Sequence, residues 1–186
     1  MTALAAREDY GELIEPGTLV MRRLLPGPIE RVWAYLTESD LRRQWLAAGK
    51  MELAVAAPFE LVWRNAELTD PPGKQPEGFG EEHRMSGEIT ELEPPRKLGI
   101  SWGTTGGVTL ALETKGEDVL LTVIHRRVTD RTILLNVSAG WHAHLDVLAA
   151  RLAGQQPEPF WDHWASLKAE YVGRLPDAEP AQGATA

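Results

Sequence analysis

The sequence predicts an α+β domain in which an antiparallel sheet of short strands wraps a long amphipathic helix near the C-terminus. Three observations lead there. Strand-like segments alternate apolar and polar residues and are divided by Gly- and Pro-containing turns, the pattern of an antiparallel meander and not of βαβ units. Val137, Trp141, Leu145, Leu148 and Leu152 are spaced four, four, three and four apart, one sustained helical stripe. Pro26-Gly27-Pro28 separates the first strand-like run from a second amphipathic stretch, which places two short helices after that strand. A chain of 186 residues, 43% of them hydrophobic, suits one domain with a substantial core.

Taken in order, residues 1–16 read as a loosely ordered lead-in to a domain spanning 17–175. Thr18 to Leu25 are rich in Val, Leu and Met and read as the first strand. Ile29, Val32, Trp33 and Leu36 then fall on one helical face. Ser39 or Asp40 is expected to cap the next short helix, with Leu41 and Trp45 on one side. Met51, Leu53 and Val55 alternate with polar or small neighbours, as do Phe59, Leu61 and Trp63, so each set reads as a strand. Residues 69–85 hold three prolines and three glycines and read as a long loop. Four further strands are expected at Gly87–Leu92, Leu98–Trp102, Val108–Thr114 and Val119–Val128. The long helix is expected to start near Val137 and to end at Gly154 and Pro157. Phe160, Trp164, Leu167 and Tyr171 form a second stripe, expected on the outside of the domain or against a second subunit. Pro176 to Ala186 read as a fraying tail.

Composition excludes several functions. A formal charge of -8 argues against nucleic acid and against an anionic membrane surface as partners. There is no cysteine, so thiolate nucleophiles, disulfides and Cys-based zinc sites are excluded. The N-terminus lacks signal-peptide character and no apolar run is long enough to span a bilayer, so a cytoplasmic location is expected. His142 and His144 are two apart on a helix and diverge, unlike a helical ligand pair, so no metal is expected. No serine elbow, phosphate loop or dinucleotide fingerprint occurs, so no cofactor and no catalytic residues are assigned.

Two blocks together carry a family resemblance. One is Leu24 to Thr37 followed by Leu41-Arg42-Arg43-Gln44-Trp45-Leu46; the other is Leu120 to His125 followed by Ala139-Gly140-Trp141-His142-Ala143-His144 and the rest of that helix. In this order they resemble the SRPBCC superfamily of START and birch-pollen-allergen-like domains. Within it they look like the branch related to the C-terminal domain of heat-shock chaperone ATPase activators. The resemblance implies a helix-grip fold with a hydrophobic cavity between sheet and C-terminal helix. It implies a binder of a small apolar or amphipathic ligand first. A chaperone partner ranks second, since this sequence has no room for the activators' additional N-terminal domain. A polyketide cyclase or aromatase-like enzyme is a further alternative.

Strand alternation then nominates the cavity wall. Phe59, Leu61 and Trp63 share one face, Ile100 and Trp102 another with Leu98, and Leu110 a third with Val108 and Leu112. Each of these side chains either lines a cavity or fills the core. Trp33, Trp45 and Trp141 lie on helix stripes and read as structural, Trp141 also bordering the ligand space. The polar candidates are His125, at a strand end, and His144, which borders the apolar stripe. His142 lies toward solvent on the same wheel, with Asp146 at i+4. Any chemistry is expected to be proton transfer or cyclisation on an apolar substrate through His125 or His144. The chain is expected to be a monomer or a homodimer.

Overall fold

A computed structural model describes residues 9–177. Seven strands form one antiparallel sheet in the order β1-β2-β7-β6-β5-β4-β3. These are β1 (Glu12–Glu15), β2 (Thr18–Pro26), β3 (Pro58–Trp63), β4 (His83–Glu93), β5 (Lys97–Trp102), β6 (Gly106–Lys115) and β7 (Asp118–Arg126). Short helices α1 (Ile29–Thr37) and α2 (Ser39–Arg42) follow β2, and α3 (Arg131–Leu152) and α4 (Phe160–Arg174) close the chain. The helix-grip architecture expected from the sequence is the one found.

The lead-in holds a strand that composition alone does not reveal. Pro16-Gly17 makes the tight turn between β1 and β2, with Gly17 at φ +79°, a backbone conformation that favours glycine. Residues 1–8 of the expected lead-in, and 178–186 of the expected tail, lie outside the described residues. The inner sheet face carries Leu19, Met21 and Leu25 of β2, Leu98 and Ile100 of β5, Leu110 of β6, and Leu121 and Val123 of β7, all buried. A bulge in β4 between Ile89 and Glu91 shifts its register with β5, and such irregularities bend a sheet around its contents.

The Met51–Val55 strand does not form. Met51 makes one isolated bridge to Phe59, and Leu53 and Val55 are exposed. The chain touches β3 only up to Met51 and then turns, Ala54 N–H donating to the Glu52 carbonyl, so the alternation over 52–55 goes unpaired, and pairing decides whether a strand exists. The segment before it is instead fixed by Arg42, which is buried and donates to the carbonyl oxygens of Thr37, Ala47 and Gly49. Neither expected residue caps α2: Glu38 is its first flanking residue, and Ser39 Oγ accepts from the Gly49 N–H.

Helix α3 begins six residues earlier than the stripe suggests. Asp130 is its N-cap, its side chain accepting from the Ile133 N–H at 2.9 Å. Trp141, Leu145, Leu148 and Leu152 are buried as expected, while Val137 is only partly so. Helix α4 packs along α3. Phe160, Trp164, Leu167 and Tyr171 are thereby buried inside the chain, and the second stripe leaves no open apolar face.

Candidate functional site

A partly open cavity of about 390 Å³ lies between β3–β5, α3, α4 and the loop before β4. Trp63 and Trp102 form the sheet-side wall, with ring centroids 5.6 Å apart and planes inclined at 67°. Trp141 on α3 continues it, 5.8 Å from Trp102. Trp161 and Trp164 on α4 form the opposite wall, and Phe79 covers both at 5.2 and 5.3 Å. Five of the seven tryptophans in the sequence therefore converge on one cavity.

Helix α4 is pinned where it meets this space. Its N-cap residue is Pro159, which offers no capping side chain, and the first N–H groups of any helix need partners. The loop supplies them: Phe160 N–H donates to Thr69 Oγ1 and Trp161 N–H to the Pro72 carbonyl, both at 2.9 Å. Asp162 returns the contact by accepting from the Lys74 N–H at 2.8 Å. The long loop over residues 69–82 is thus tied to the helix it covers.

Of the nine residues nominated from sequence, Trp63, Trp102, Trp141 and His144 line the cavity. Phe59, Leu61, Ile100 and Leu110 sit in the packed core beneath it. His125 stands behind the wall: its Nδ1 accepts from Trp141 Nε1–H at 3.1 Å, and its ring meets Trp102 edge-on at 5.0 Å. An indole N–H only donates, so His125 carries its proton on Nε2. Burial holds it neutral, its pKa pushed down to about 4.

His144 is wired the other way. Its Nδ1 lies 2.7 Å from the Trp45 backbone oxygen, which can only accept, so Nδ1 bears the hydrogen and Nε2 is left with a lone pair. Burial lowers its pKa to about 4 as well.

Sequence reasoning missed Trp161, Phe79 and two amides. Trp161 lies off the four-three-four spacing that defined the α4 stripe. Phe79 sits in a loop read only for its punctuation. Asn65 and Asn136 both line the cavity and carry buried Oδ1 atoms without a partner, as does the Trp161 Nε1–H.

A second, more polar cleft of about 460 Å³ runs past Leu24, Glu158 and His163. Beside it lies a charged cluster that corrects one expectation. His142 is buried, not on the solvent side: its Nδ1 lies 2.9 Å from the Tyr171 hydroxyl oxygen, in hydrogen-bond contact, while Nε2 lies 3.5 Å from Asp146. His163 on α4 reaches the same carboxylate at 2.7 Å. A helical wheel assumes one buried face, whereas α3 is covered by the sheet on one side and α4 on another. Among the described residues no group of three or more His, Asp or Glu is placed to hold a metal, and no helix is long and apolar enough to cross a membrane.

A curved antiparallel sheet gripping a long helix, with an aromatic cavity beside that helix, defines a helix-grip domain of the SRPBCC type. The family model described as Activator of Hsp90 ATPase homolog 1-like protein matches residues 26–153, and the chain belongs to that family. It is similar to a protein of Bordetella parapertussis known from a solution NMR structure, at 37% identity and a TM-score of 0.74, over 93% of this chain and 94% of that one. It shares its fold with CalU16 from Micromonospora echinospora, at 24% identity and a TM-score of 0.62, over 84% and 86% of the two chains. DynU16, a protein of the dynemicin biosynthetic locus, has the same fold at 18% identity and a TM-score of 0.61, over 77% of this chain and 49% of its own. No curated protein matches the chain.

Proposed function

We propose that this domain binds a small, mainly apolar molecule in the cavity between sheet, α3 and α4. The observation that carries the reading is the convergence of Trp63, Trp102, Trp141, Trp161 and Trp164 on a space of about 390 Å³. Ligand sites are typically roughly 300–1,000 Å³, mostly apolar, with a few placed polar groups, and this one matches in both size and lining. A core built only for stability buries its indole N–H groups against acceptors, yet Trp161 Nε1 has none. That DynU16 belongs to a biosynthetic locus is consistent with a small-molecule role for this fold.

Tryptophan fluorescence gives a direct test, because any occupant lies against the emitters. An apolar naphthalene-type probe is expected to quench emission saturably, and Trp102→Ala to weaken its binding about tenfold while leaving the circular dichroism unchanged. Trp102 is only partly buried, so the substitution spares the core. Absence of saturable binding by any apolar probe removes the reading. Native mass spectrometry of protein from its own host is the complementary search for a co-purifying molecule.

The family description favours a second reading, contact with an Hsp90-type chaperone. A rise in chaperone ATPase rate on adding this protein supports it, and an unchanged rate leaves the ligand reading alone.

A further inference from the structure

The polar groups of the cavity narrow the class of its occupant. His144 is 6% exposed, lines the cavity and has its Nδ1 committed to Trp45. A backbone carbonyl offers no proton, so the direction of that bond is fixed by chemistry, and the tautomer of His144 with it. A neutral imidazole that donates from Nδ1 presents only a lone pair at Nε2. Among the described residues no protein group pairs with that nitrogen. Protonation would be needed to turn it into a donor, and burial opposes protonation. The site therefore holds a fixed hydrogen-bond acceptor beside aromatic walls. A molecule that fills the cavity displaces water from this nitrogen, so one that donates to it keeps the hydrogen bond and one that cannot donate forfeits it.

We infer that the cavity selects a planar aromatic molecule bearing a hydroxyl or N–H group, which donates to Nε2 of His144. The rings of Trp102, Trp141 and Trp161 supply faces and edges for stacking, worth more than area burial alone. The donor fixes the orientation of the molecule against α3. His125 plays no such part, since its Nδ1 is occupied by Trp141. This assignment rests on the binding reading and adds the polarity of the ligand to it.

Three probes of similar ring size separate the two ideas: 2-naphthol, 2-methoxynaphthalene and naphthalene, titrated into the full chain by calorimetry and by tryptophan quenching. The naphthol, which alone can donate, is expected to bind about tenfold more tightly than the methoxy compound, the worth of one hydrogen bond kept when the cavity is emptied of water. His144→Phe is expected to abolish that difference while keeping affinity for naphthalene. If His144→Phe fails to fold, nitrogen-15 NMR of histidine-labelled wild type reads the same contact. Naphthol is then expected to shift the Nε2 resonance of His144 and leave its Nδ1 resonance in place. Equal affinities for all three probes overturn the donor assignment and leave the cavity as a binder. Loss of binding by all three removes the binding reading, and the assignment falls with it.

Discussion

Asp146 on α3 and His163 on α4 are joined by a 2.7 Å hydrogen bond, and the same carboxylate receives Arg23 from the sheet, also at 2.7 Å. Three elements are thus locked through one side chain. Arg23 sits on the inner face of β2 with 5% of its side chain exposed, whereas the Asp146 side chain keeps 34%. Removing one partner of such a pair leaves the other charge buried and uncompensated. Asp146→Ala is expected to cost about 3 kcal/mol, the low end for buried pairs because the carboxylate is partly hydrated. Arg23→Met combined with Asp146→Leu is expected to cost less than the sum of the single changes. Urea melts of the four proteins measure this, and strict additivity would show that the two charges act independently.

Histidine burial sets the expected pH profile. His125, His142 and His144 are each held down to about 4, chiefly by burial. Unfolded histidine titrates near 6.5, so between about pH 4 and 6.5 the unfolded chain holds more protons and stability falls as pH drops. Each group contributes on the order of 3 kcal/mol across that window. His163 works in the opposite direction. Its hydrogen bond to Asp146 raises its pKa, so its stabilisation is full below 6.5 and is lost as pH climbs through the raised value. Asp146 is raised by burial but lowered more by His163 and Arg23, so its contribution is present above its usual 3.8 and is lost in acid. Three groups outweigh one. The urea midpoint is expected to fall steadily from pH 6.5 to 4.5, and a flat profile would mean that the three rings titrate freely.

Arg42 fixes the segment from Thr37 to Gly49, which carries Leu46 to the cavity. It is 1% exposed, and its guanidinium reaches the carbonyls of Thr37, Ala47 and Gly49 at 2.9, 3.1 and 2.5 Å. Burial lowers its pKa to about 10, which leaves it charged at neutral pH. A lysine keeps the charge but lacks the planar fork that satisfies several acceptors together. Arg42→Lys is expected to cost about 3 kcal/mol, since at least one buried carbonyl loses its donor. A melting temperature equal to wild type would show that water serves those carbonyls as well.

Local periodicity made most of the architecture legible, and it failed where two layers meet on one element. The α3 stripe was readable because Trp141, Leu145, Leu148 and Leu152 face the sheet with helical spacing. His142 was misplaced toward solvent because the second cover, α4, approaches that side through Tyr171 and His163. The start of α3 was missed although it was legible. Asp130 is a recognisable cap and Leu134, seven residues before Trp141, is buried on the same stripe, so both signals of an earlier start stand in the sequence beside the exposed Ile133. In the candidate site, the sheet-side pair Trp63 and Trp102 followed from strand alternation. The α4 wall and Phe79 did not, because their placement depends on the loop hydrogen bonds from Thr69 and Pro72 to residues roughly ninety positions away.

The second stripe supplies a test of where α4 belongs. On sequence grounds Trp164 suited either an outer face or a subunit interface, but within one chain it is already 5% exposed and packs against Phe79 and Trp161. A carboxylate there would be buried among aromatic rings without a cation placed for it, apart from Lys168, whose Nζ sits over the indole at 5.2 Å. Trp164→Glu is therefore expected to destabilise the monomer by at least about 3–5 kcal/mol, the cost of truncating a buried tryptophan, with charge burial added. Val172 on the same helix is 54% exposed, so Val172→Glu is expected to stay within about half a kcal/mol of wild type. Thermal melts read the stability, and sedimentation reads the assembly state of both variants. A Trp164→Glu protein that melts like wild type but sediments differently would show that α4 leaves α3 to face a second copy.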